Sequence, residues 1–509
     1  MKIHLVNPRL PLSFSSNEYA ARMAFRKYSN PPLGLLTVAA MIPDRHVTTL
    51  CDENVSPIDW NADCDVVGIT GMHLQGSRMR EIATGFRARG KTVVIGGPSV
   101  MSVPERYRDV ADILVLGEAE QIWPACLADL ERGVAHATYH AEKSTVDLAA
   151  SPLPRFDLVS PRDYLSMSLQ TSRGCPFQCE FCDIITLYGR KVRTKPVERV
   201  LREVERIVAL GWERFFFVDD NFIGDPRYAT ELLTALAELR GRTSRPFYFT
   251  TQLTINLAQN TVLMRLLHEA GCRSVFIGIE TPRASSLRET LKFQNVRKDL
   301  LADVERIQRS GLAVYSGIVV GFDHDDADIF DEQVQFINDA RIPLPLPSIL
   351  GALPGTPLHS RLAADGRLLP DTDFTVNAFY TNMIPKQMSV EALEAGYRRM
   401  VGALYAPASF ANRVNGELDR IGDSAGRMSN YRWPVLIAGF AWVLGWFLVD
   451  TNRRKLLSAY YRIAATAVRR PSVADQALQR LIIYRHVCRF VSMIEDRARS
   501  GPPSPAVAS

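Results

Sequence analysis

Three closely spaced cysteines are the feature that most restricts what this chain can fold into. Cys175, Cys179 and Cys182 follow the order C-x3-C-x2-C in the stretch TSRGCPFQCEFCDI. Iron–sulfur clusters are held by cysteine thiolates, most often four to a cluster. Three at this spacing can hold three irons of a cubane cluster and leave the fourth iron open to a substrate or cofactor. A chance grouping of ordinary buried cysteines is the alternative. The chain has only eight cysteines in 509 residues, so we favour the cluster.

Composition narrows the class and compartment of the protein. The five other cysteines are scattered without a framework, which argues against a disulfide-bonded secreted protein. The net charge of +5 gives no indication of a nucleic-acid partner. The N-terminal stretch MKIHLVNPRL is typical of a buried strand and lacks the apolar segment of a signal peptide. We therefore expect a cytoplasmic protein, and the C-terminal region leaves a peripheral contact with the inner face of the cell membrane open.

The first 150 residues predict a doubly wound α/β domain. Short apolar runs alternate with helical stretches, as strands buried on both faces of a parallel sheet do. The runs are Ile3–Val6, Val47–Leu50, Val66–Ile69, Val93–Ile95 and Ile113–Leu116. Arg78–Arg89 is a typical helix, with Gly90 as its C-terminal cap. Ligands bind beyond the carboxyl ends of such strands. The candidate binding residues there are Met72, His73, Gly96, Gly97, Ser99, Gly117 and Glu118.

Residues 151–385 predict a partial (β/α)6 barrel. Six strand-like runs alternate with helices: Leu165–Leu169, Arg214–Val218, Phe247–Thr251, Ser274–Ile279, Ala313–Val320 and Pro347–Leu353. Val197–Val208 repeats apolar residues at helical spacing, and Gly211 closes it. Barrel sites are built at the carboxyl ends of the strands. The candidate residues there are Asp220, Asn221, Gln252, Asn256, Glu280, Gly317 and Gly321.

Residues 386–509 predict a helical C-terminal domain. Met388–Tyr405 is one expected helix, and Pro407 breaks the chain before the next. The apolar run Pro434–Val449 is shorter than the roughly 20 residues that span a bilayer. Its tryptophans and the basic residues that follow suit a helix in a membrane interface, whereas a helix buried against the barrel is the alternative. The terminal segment GPPSPAVAS predicts a disordered tail.

The cysteine motif, with Phe181 before its third cysteine, resembles that of the radical S-adenosylmethionine (radical SAM) enzymes. In these enzymes three cysteines hold a 4Fe-4S cluster and SAM binds the open iron. The resemblance implies that Asp220 and Asn221 meet the SAM amino group, with Gln252 and Asn256 at its ribose or carboxylate. Glu280 would then lie near the ribose. Gly317 and Gly321 would lie beside the adenine.

The first domain is similar to the cobalamin-binding domain that precedes the barrel in cobalamin-dependent radical SAM enzymes. One departure is clear, because the family's D-x-H-x-x-G motif is only partly matched at Asp44–Thr49, before a strand. We interpret His46 as part of an ordinary turn and expect no protein side chain to ligate cobalt. Met72 and His73 would cover the lower face of the corrin by packing. A nucleotide or flavin site is the competing interpretation, weakened because no G-x-G-x-x-G follows the first strand.

The three-domain resemblance implies methylation of an unactivated carbon, with one SAM generating a radical and a second remethylating cobalamin. Such cofactors carry the hard chemistry, while the protein positions and shields them. A reductase, flavodoxin or ferredoxin would supply the electron. Stretches such as FVDDNFIG, VFIGIETP and ALPGTPLHSRL are most similar to the hopanoid 2-methylase group, which acts on the A ring of triterpenoid lipids. A methylase or cyclase for a tetrapyrrole, antibiotic precursor or peptide stays open. A cobalamin or iron–sulfur sensor also stays open as another class.

Overall fold

The structure is a computed structural model that describes residues 1–296, 299–369, 381–422 and 433–500, without the side chains of 497–500. It contains two parallel six-stranded sheets and a C-terminal set of helices. This is the predicted α/β fold class. The predicted tail at 501–509 lies outside the described residues. The predicted domain boundaries after residues 150 and 385 fall between these sets of elements and stay predictions.

The first sheet is doubly wound, with strand order β2-β1-β3-β4-β5-β6. Its strands are β1 (Lys2–Asn7), β2 (Val47–Asp52), β3 (Val66–Thr70), β4 (Thr92–Gly96), β5 (Ile113–Leu116) and β6 (Thr138–His140). Its helices are α1 (Glu18–Met23), α2 (Leu33–Ala40), α3 (Gly76–Arg87), α4 (Pro98–Ser102) and α5 (Ala119–Arg132). The five predicted strands are present, and β6 is an addition. The order reverses between β1 and β3, so ligands are expected beyond the strand ends at that point.

The second sheet is the predicted partial barrel, in the order β14-β13-β12-β11-β10-β7. Its strands are β7 (Met167–Leu169), β10 (Arg214–Phe217), β11 (Tyr248–Leu253), β12 (Cys272–Glu280), β13 (Ala313–Val320) and β14 (Leu344–Ile349). A two-stranded hairpin of β8 (Ser172–Arg173) and β9 (Arg193–Thr194) lies between β7 and β10. The outer helices are α6 (Ile184–Leu187), α7 (Val197–Ala209), α8 (Pro226–Arg242), α9 (Thr261–Ala270), α10 (Ala284–Glu289), α11 (Phe293–Val296), α12 (Leu300–Arg309), α13 (Ile329–Asp339) and α14 (Pro357–Ala364).

The sixth strand was predicted too late in the chain. It begins at Leu344 and ends at Ile349, whereas the prediction was Pro347–Leu353. The strand contains Pro345 and Pro347, which interrupt a strand pattern in sequence. Proline is tolerated there because β14 is an edge strand.

Five helices follow the barrel: α15 (Val390–Leu404), α16 (Pro407–Ile421), α17 (Trp433–Leu448), α18 (Arg453–Arg469) and α19 (Ala474–Ser500). They close the outer edge of β14, where the hydroxyl of Tyr397 donates to the carbonyl of Pro347 at 3.0 Å. One hydrophobic core runs from the barrel into these helices. It also includes Phe14, before α1, and Met23, in α1. Within the described ranges, no helix is both long enough and apolar enough to cross a membrane.

A buried ion pair joins the helices to the barrel. Arg480 of α19 and Glu417 of α16 lie 2.9 Å apart, and both side chains are almost fully buried. The second oxygen of Glu417 accepts from the backbone N–H of Val314 in β13 at 3.3 Å. Burial raises the pKa of Glu417, and the charge of Arg480 opposes this effect. Each charge is therefore tolerated only because of the other.

We expect the single substitution Arg480→Met to destabilise the fold by about 3–5 kcal/mol, because it leaves Glu417 buried without its partner. Thermal and urea unfolding measure the change. Arg480→Met combined with Glu417→Met should recover most of the loss, since both buried charges are then removed. The exposed pair Arg265–Glu269 is the control, where Arg265→Met should cost less than about 0.5 kcal/mol. Equal effects at both sites would contradict the argument.

Candidate functional site

The three cysteines lie in a loop that the β8–β9 hairpin holds at the carboxyl end of the barrel strands. Gly174, directly before Cys175, has φ +92°, and a Cβ there would lie 2.5 Å from the carbonyl oxygen of Lys191. Only glycine fits so close an approach without strain. The N–H of Cys175 donates to the carbonyl of Gly189 at 3.4 Å. The first ligand position is thus set by backbone contacts on both sides.

The thiols are shielded, as the ligands of an oxygen-sensitive cluster need to be. Cys179 is buried, whereas Cys175 and Cys182 are partly buried. Burial raises the pKa of Cys182 to about 12 and also raises the pKa of Cys175, so coordination to iron is needed to deprotonate them. In the described ranges no three ligating side chains converge on a single ion. Ligands of a cubane bind separate irons and lie further apart, so the donor set fits a cluster better than one ion.

Asp219 fastens the strand that leads into the cysteine loop. Its Oδ1 accepts from the N–H and hydroxyl of Thr171 at 3.0 and 2.9 Å, and from the N–H and hydroxyl of Ser172. The side chain is fully buried, and burial raises its pKa while these hydrogen bonds oppose the rise. Its other oxygen, Oδ2, is buried and has no hydrogen-bond partner among the described residues.

Asp220 is the carboxylate at this strand end that has fewer hydrogen-bond donors. Its Oδ2 accepts from the N–H of Gly174 at 2.8 Å. Burial raises its pKa to about 6, and the nearby charge of Asp219 adds to the rise. A cationic ligand would stabilise its ionised form, since an opposite charge lowers a carboxyl pKa.

Two amide side chains beside the loop fit a ligand. The Oδ1 of Asn221 is buried and has no hydrogen-bond partner. Buried polar atoms are normally paired, so this oxygen is available to a ligand in the adjacent cleft. Asn221 and Asn256 line a cleft of about 170 Å³ whose wall includes Pro176 and Phe177 of the cysteine loop. Gln252 lies next to it, where its backbone carbonyl accepts from Phe222 N–H at 2.9 Å.

The next two strands place the remaining predicted residues. Gly278 and Gly317 face each other in register on β12 and β13. Glu280 ends β12 with φ +65° and is mostly buried. Gly321 donates its N–H to Asp325 at 2.9 Å and packs beside the C-terminal helices. The ligand roles of these residues stay predictions.

Lys292 supplies a buried positive charge beside the cysteines, and the sequence analysis did not identify it. Its ammonium pairs with Glu280 and lies 5.9 Å from the ring centre of Phe181. Burial opposes its charge, but the attraction of Glu280 and of Cys179 outweighs burial and raises the pKa of Lys292. Two residues on, Gln294 donates to the sulfur of Cys179 at 3.5 Å. Such groups stabilise negative charge on cluster sulfurs.

The predicted cobalamin residues share the carboxyl edge of the first sheet. Gly97 has φ +93°, and a Cβ there would lie 2.0 Å from the hydroxyl oxygen of Thr70, so the turn approaches that edge as glycine alone allows. Gly96 and Gly117 lie at the same edge. The buried hydroxyl of Ser99 contacts the hydroxyl of Tyr107 at 2.6 Å. Their roles toward a corrin stay predictions.

Met72 and His73 form the loop after β3. Met72 is 52% exposed and His73 is buried. Burial lowers the pKa of His73, and the charge of Asp183 opposes this effect. His46, by contrast, lies before β2 at the other end of the sheet and contacts Glu131 at 2.8 Å. The interpretation of His46 as part of an ordinary turn agrees with this position.

The carboxyl edge of the first sheet and the cysteine loop meet directly. Helix α4 packs against α6, which begins two residues after Cys182. Arg173 reaches Glu118 at 2.7 Å and Glu120 at 2.6 Å, and Arg193 reaches Glu118 at 2.8 Å. Both carboxylate oxygens of Glu118 accept from arginines of the β8–β9 hairpin, and its predicted role toward cobalamin stays a prediction. The two candidate cofactor sites therefore face each other.

Comparison with known proteins places the barrel in a described family. Residues 169–332 match the radical SAM superfamily, and residues 356–500 match a domain of unknown function, DUF4070. The chain is 39% identical to an uncharacterized methyltransferase, sll1242, of Synechocystis, over 81% of this chain and 78% of the relative. It is 34% identical to the hopanoid C-2 methylase of Rhodopseudomonas palustris, over 76% and 73%. It is 27% identical to the bacteriochlorophyllide d C-12(1)-methyltransferase of Chlorobaculum tepidum, over 81% and 89%.

Solved structures share the fold at low sequence identity. The radical SAM methyltransferase TsrM of Kitasatospora setae, with cobalamin and a [4Fe-4S] cluster, matches with a TM-score of 0.56 and 17% identity, over 72% of this chain and 78% of TsrM. The cobalamin-dependent radical SAM enzyme OxsB matches with a TM-score of 0.62 and 13% identity, over 99% and 82%. These matches confirm the predicted fold class.

Replacement of Lys292 by methionine should lower the reduction potential of a reconstituted cluster on the order of 50 mV, because a buried positive charge no longer favours the reduced form. Potentiometric titration followed by electron paramagnetic resonance measures the shift. Lys292→Arg keeps the charge and is the matched control. Lys292→Met with Glu280→Gln tests whether the shift comes only from the stranded carboxylate. An unchanged potential in Lys292→Met at full iron content would contradict the role.

Replacement of Asp220 by asparagine should weaken SAM binding and stabilise the cofactor-free protein at neutral pH. The folded pKa of about 6 lies above the ordinary value of 3.8, so the carboxylate costs stability as the pH rises through that interval. We expect a gain of about 1–3 kcal/mol above pH 6 that fades toward pH 4. Thermal unfolding against pH and calorimetric SAM titration measure the two effects. A loss of stability at pH 7 would show that Asp220 serves the fold.

Proposed function

The chain belongs to the cobalamin-dependent radical SAM methyltransferases, and we propose that it methylates an unactivated carbon of a hopanoid or a similar polycyclic lipid. One observation supports methyl transfer most directly: the cobalamin edge of the first sheet meets the cysteine loop of the barrel across the Arg173–Glu118 contact. A substrate between the two would be within reach of both. We propose the 2-position of the A ring as the target, because the hopanoid C-2 methylase is a relative over most of its length.

The proposed cofactors are a 4Fe-4S cluster on Cys175, Cys179 and Cys182, SAM on its open iron, and cobalamin at the edge of the first sheet. When bound, they would supply one-electron cleavage of the sulfonium and the methyl group that is transferred. The protein's own contribution is position and charge. Lys292 offsets the charge of the thiolates, and Asp220 offers a carboxylate to an ammonium group.

The redox and cellular partners follow from the same chemistry. A reductase, flavodoxin or ferredoxin is the proposed source of the electron, because reductive cleavage of the sulfonium consumes one electron from a donor. A lipid substrate would be met at the inner face of the cell membrane by a cytoplasmic enzyme in peripheral contact with it.

A tetrapyrrole substrate is the second candidate. The bacteriochlorophyllide methyltransferase of Chlorobaculum tepidum is a relative over 89% of its own length, which favours this substrate class over peptides or antibiotic precursors.

Anaerobically reconstituted protein with SAM, a reductant and a hopanoid extract should form 5′-deoxyadenosine and a hopanoid heavier by one CH2 group. Liquid chromatography with mass spectrometry measures both products. Alanine in place of Cys175, Cys179 or Cys182 should reduce both to background, because the cluster loses an iron ligand. Cys126→Ala, at a buried cysteine of the first domain, is the matched control and should keep both activities.

The products separate the candidates. Deoxyadenosine without a methylated hopanoid, followed by methylation of a chlorophyllide, would replace the lipid by the tetrapyrrole. Full activity in the alanine variants would contradict the cluster assignment.

A further inference from the structure

The hairpin formed by α17 and α18 presents a large apolar surface to solvent. Helix α17 buries Leu436, Val443 and Phe447 against its neighbours. Much of the rest of this helix is exposed, and Ile437 is 63% accessible. Other exposed apolar side chains of the hairpin are Trp433, Val435, Trp442, Leu448, Val449, Tyr461 and Val468. Exposed apolar side chains concentrated on one helical hairpin mark a candidate interaction surface.

The same hairpin is strongly basic. Helix α18 contains arginine and lysine but no acidic residue, and four of its arginines make no ion pair within the described residues: Arg453, Arg454, Arg462 and Arg469. The one acid between Trp433 and Arg470 is Asp450, which is fully buried and pairs with Arg485 at 2.9 Å and Arg489 at 3.0 Å. The exposed charge of this face is therefore positive.

Phe25, outside the hairpin, extends the apolar surface in a strained backbone conformation. Phe25 follows α1 with φ +55° and is 71% exposed. The N–H of Arg26 bonds to the carbonyl of Ala21 at 2.9 Å, which is the helix ending that normally takes glycine. A bulky residue with this φ is an outlier. Phe25 stacks on Trp442 with ring centres 5.0 Å apart, and the indole N–H of Trp442 donates to Met23 at 3.0 Å.

We propose that this face, formed by α17, α18 and Phe25, docks onto the surface of a bilayer that contains anionic lipid. Exposed aromatic side chains suit the interfacial layer, and exposed arginines attract anionic headgroups. The sixteen residues of α17 are too few to cross a bilayer, so its exposed apolar side chains would enter only the interfacial layer, while the arginines of α18 supply the polar part of the face. A second copy of the chain is a poorer occupant, because two such faces would repel each other through their arginines.

This inference deepens the proposed function, on which it rests for the choice of a lipid as substrate. Helices α17 and α18 pack on α19, which in turn packs on α15 and α16. Phe25 lies three residues before Tyr28, which forms a β-bridge with Tyr164 just before β7. Docking would therefore bring the β7 side of the barrel toward the membrane from which the lipid comes.

Flotation with phosphatidylcholine vesicles, with and without phosphatidylglycerol, tests the proposal on the reconstituted holoenzyme. We expect binding to the anionic vesicles, a blue shift of tryptophan emission, and loss of binding at high salt. Ile437→Glu should weaken binding at least about tenfold, because it places a charge in the apolar contact. Arg454→Gln and Arg462→Gln should each weaken it about fivefold. Val262→Glu, at an exposed apolar site on α9, and Arg108→Gln are the matched controls and should bind normally.

Several outcomes would overturn the proposal. These are no vesicle binding by the parent protein, normal binding by Ile437→Glu, or a dimer in sedimentation that Ile437→Glu separates while vesicles are ignored. Formation of 5′-deoxyadenosine in detergent verifies that each variant is folded and loaded, and Ile437→Glu should retain it. Vesicle binding by an enzyme that leaves every hopanoid unmodified would support docking while the proposed substrate fails.

Discussion

The buried charge network around Arg173 is the interaction on which the candidate site depends. Arg173 stands two residues before Cys175 and is held between Glu118 and Glu120 of the first domain. Burial disfavours its charge, but the two carboxylates outweigh burial and raise its pKa. A buried guanidinium without partners would cost several kcal/mol, so the two domains are held in the arrangement that keeps the partners in place. The same contacts fix the cysteine loop against the edge of the first sheet.

Much of the fold could be predicted because its elements are local and strongly patterned. Strands buried on both faces appear as short apolar runs, and Ala313–Val320 was bounded correctly at both ends. Helix α7 ends as its pattern predicted, since Gly211 has φ +94° and the N–H of Trp212 bonds back to Ile207 at 3.0 Å. The cysteine loop was equally accessible, because its ligand positions are contiguous in sequence. These predictions succeeded because each depends on the spacing of residues that are close together in the sequence.

The remaining features depend on partners that are distant in sequence. No local pattern distinguishes Lys292 from the nine other lysines, and only the fold brings it to Glu280. The ion pair of Glu118 with Arg193 likewise joins residues that are far apart in sequence. The strands β8 and β9 have two residues each, too few to show alternation. The choice between a buried and an exposed α17 also needed the structure, because a helix that is apolar on nearly all sides has no polar face to indicate which side is buried.

The adjacent carboxylates Asp219 and Asp220 differ in how many hydrogen bonds the fold gives them. Asp219 accepts four hydrogen bonds from Thr171 and Ser172, so its charge is used to hold the loop. Burial raises the pKa of both carboxyl groups, but Asp220 accepts one hydrogen bond, from the N–H of Gly174, so the protein alone stabilises its ionised form poorly. Such a group lowers the stability of the empty protein, and proteins retain that cost mainly where function requires it. An ammonium group from a ligand would supply the missing positive charge. The same unpaired carboxylate therefore lowers the stability of the ligand-free protein and favours the binding of a cation.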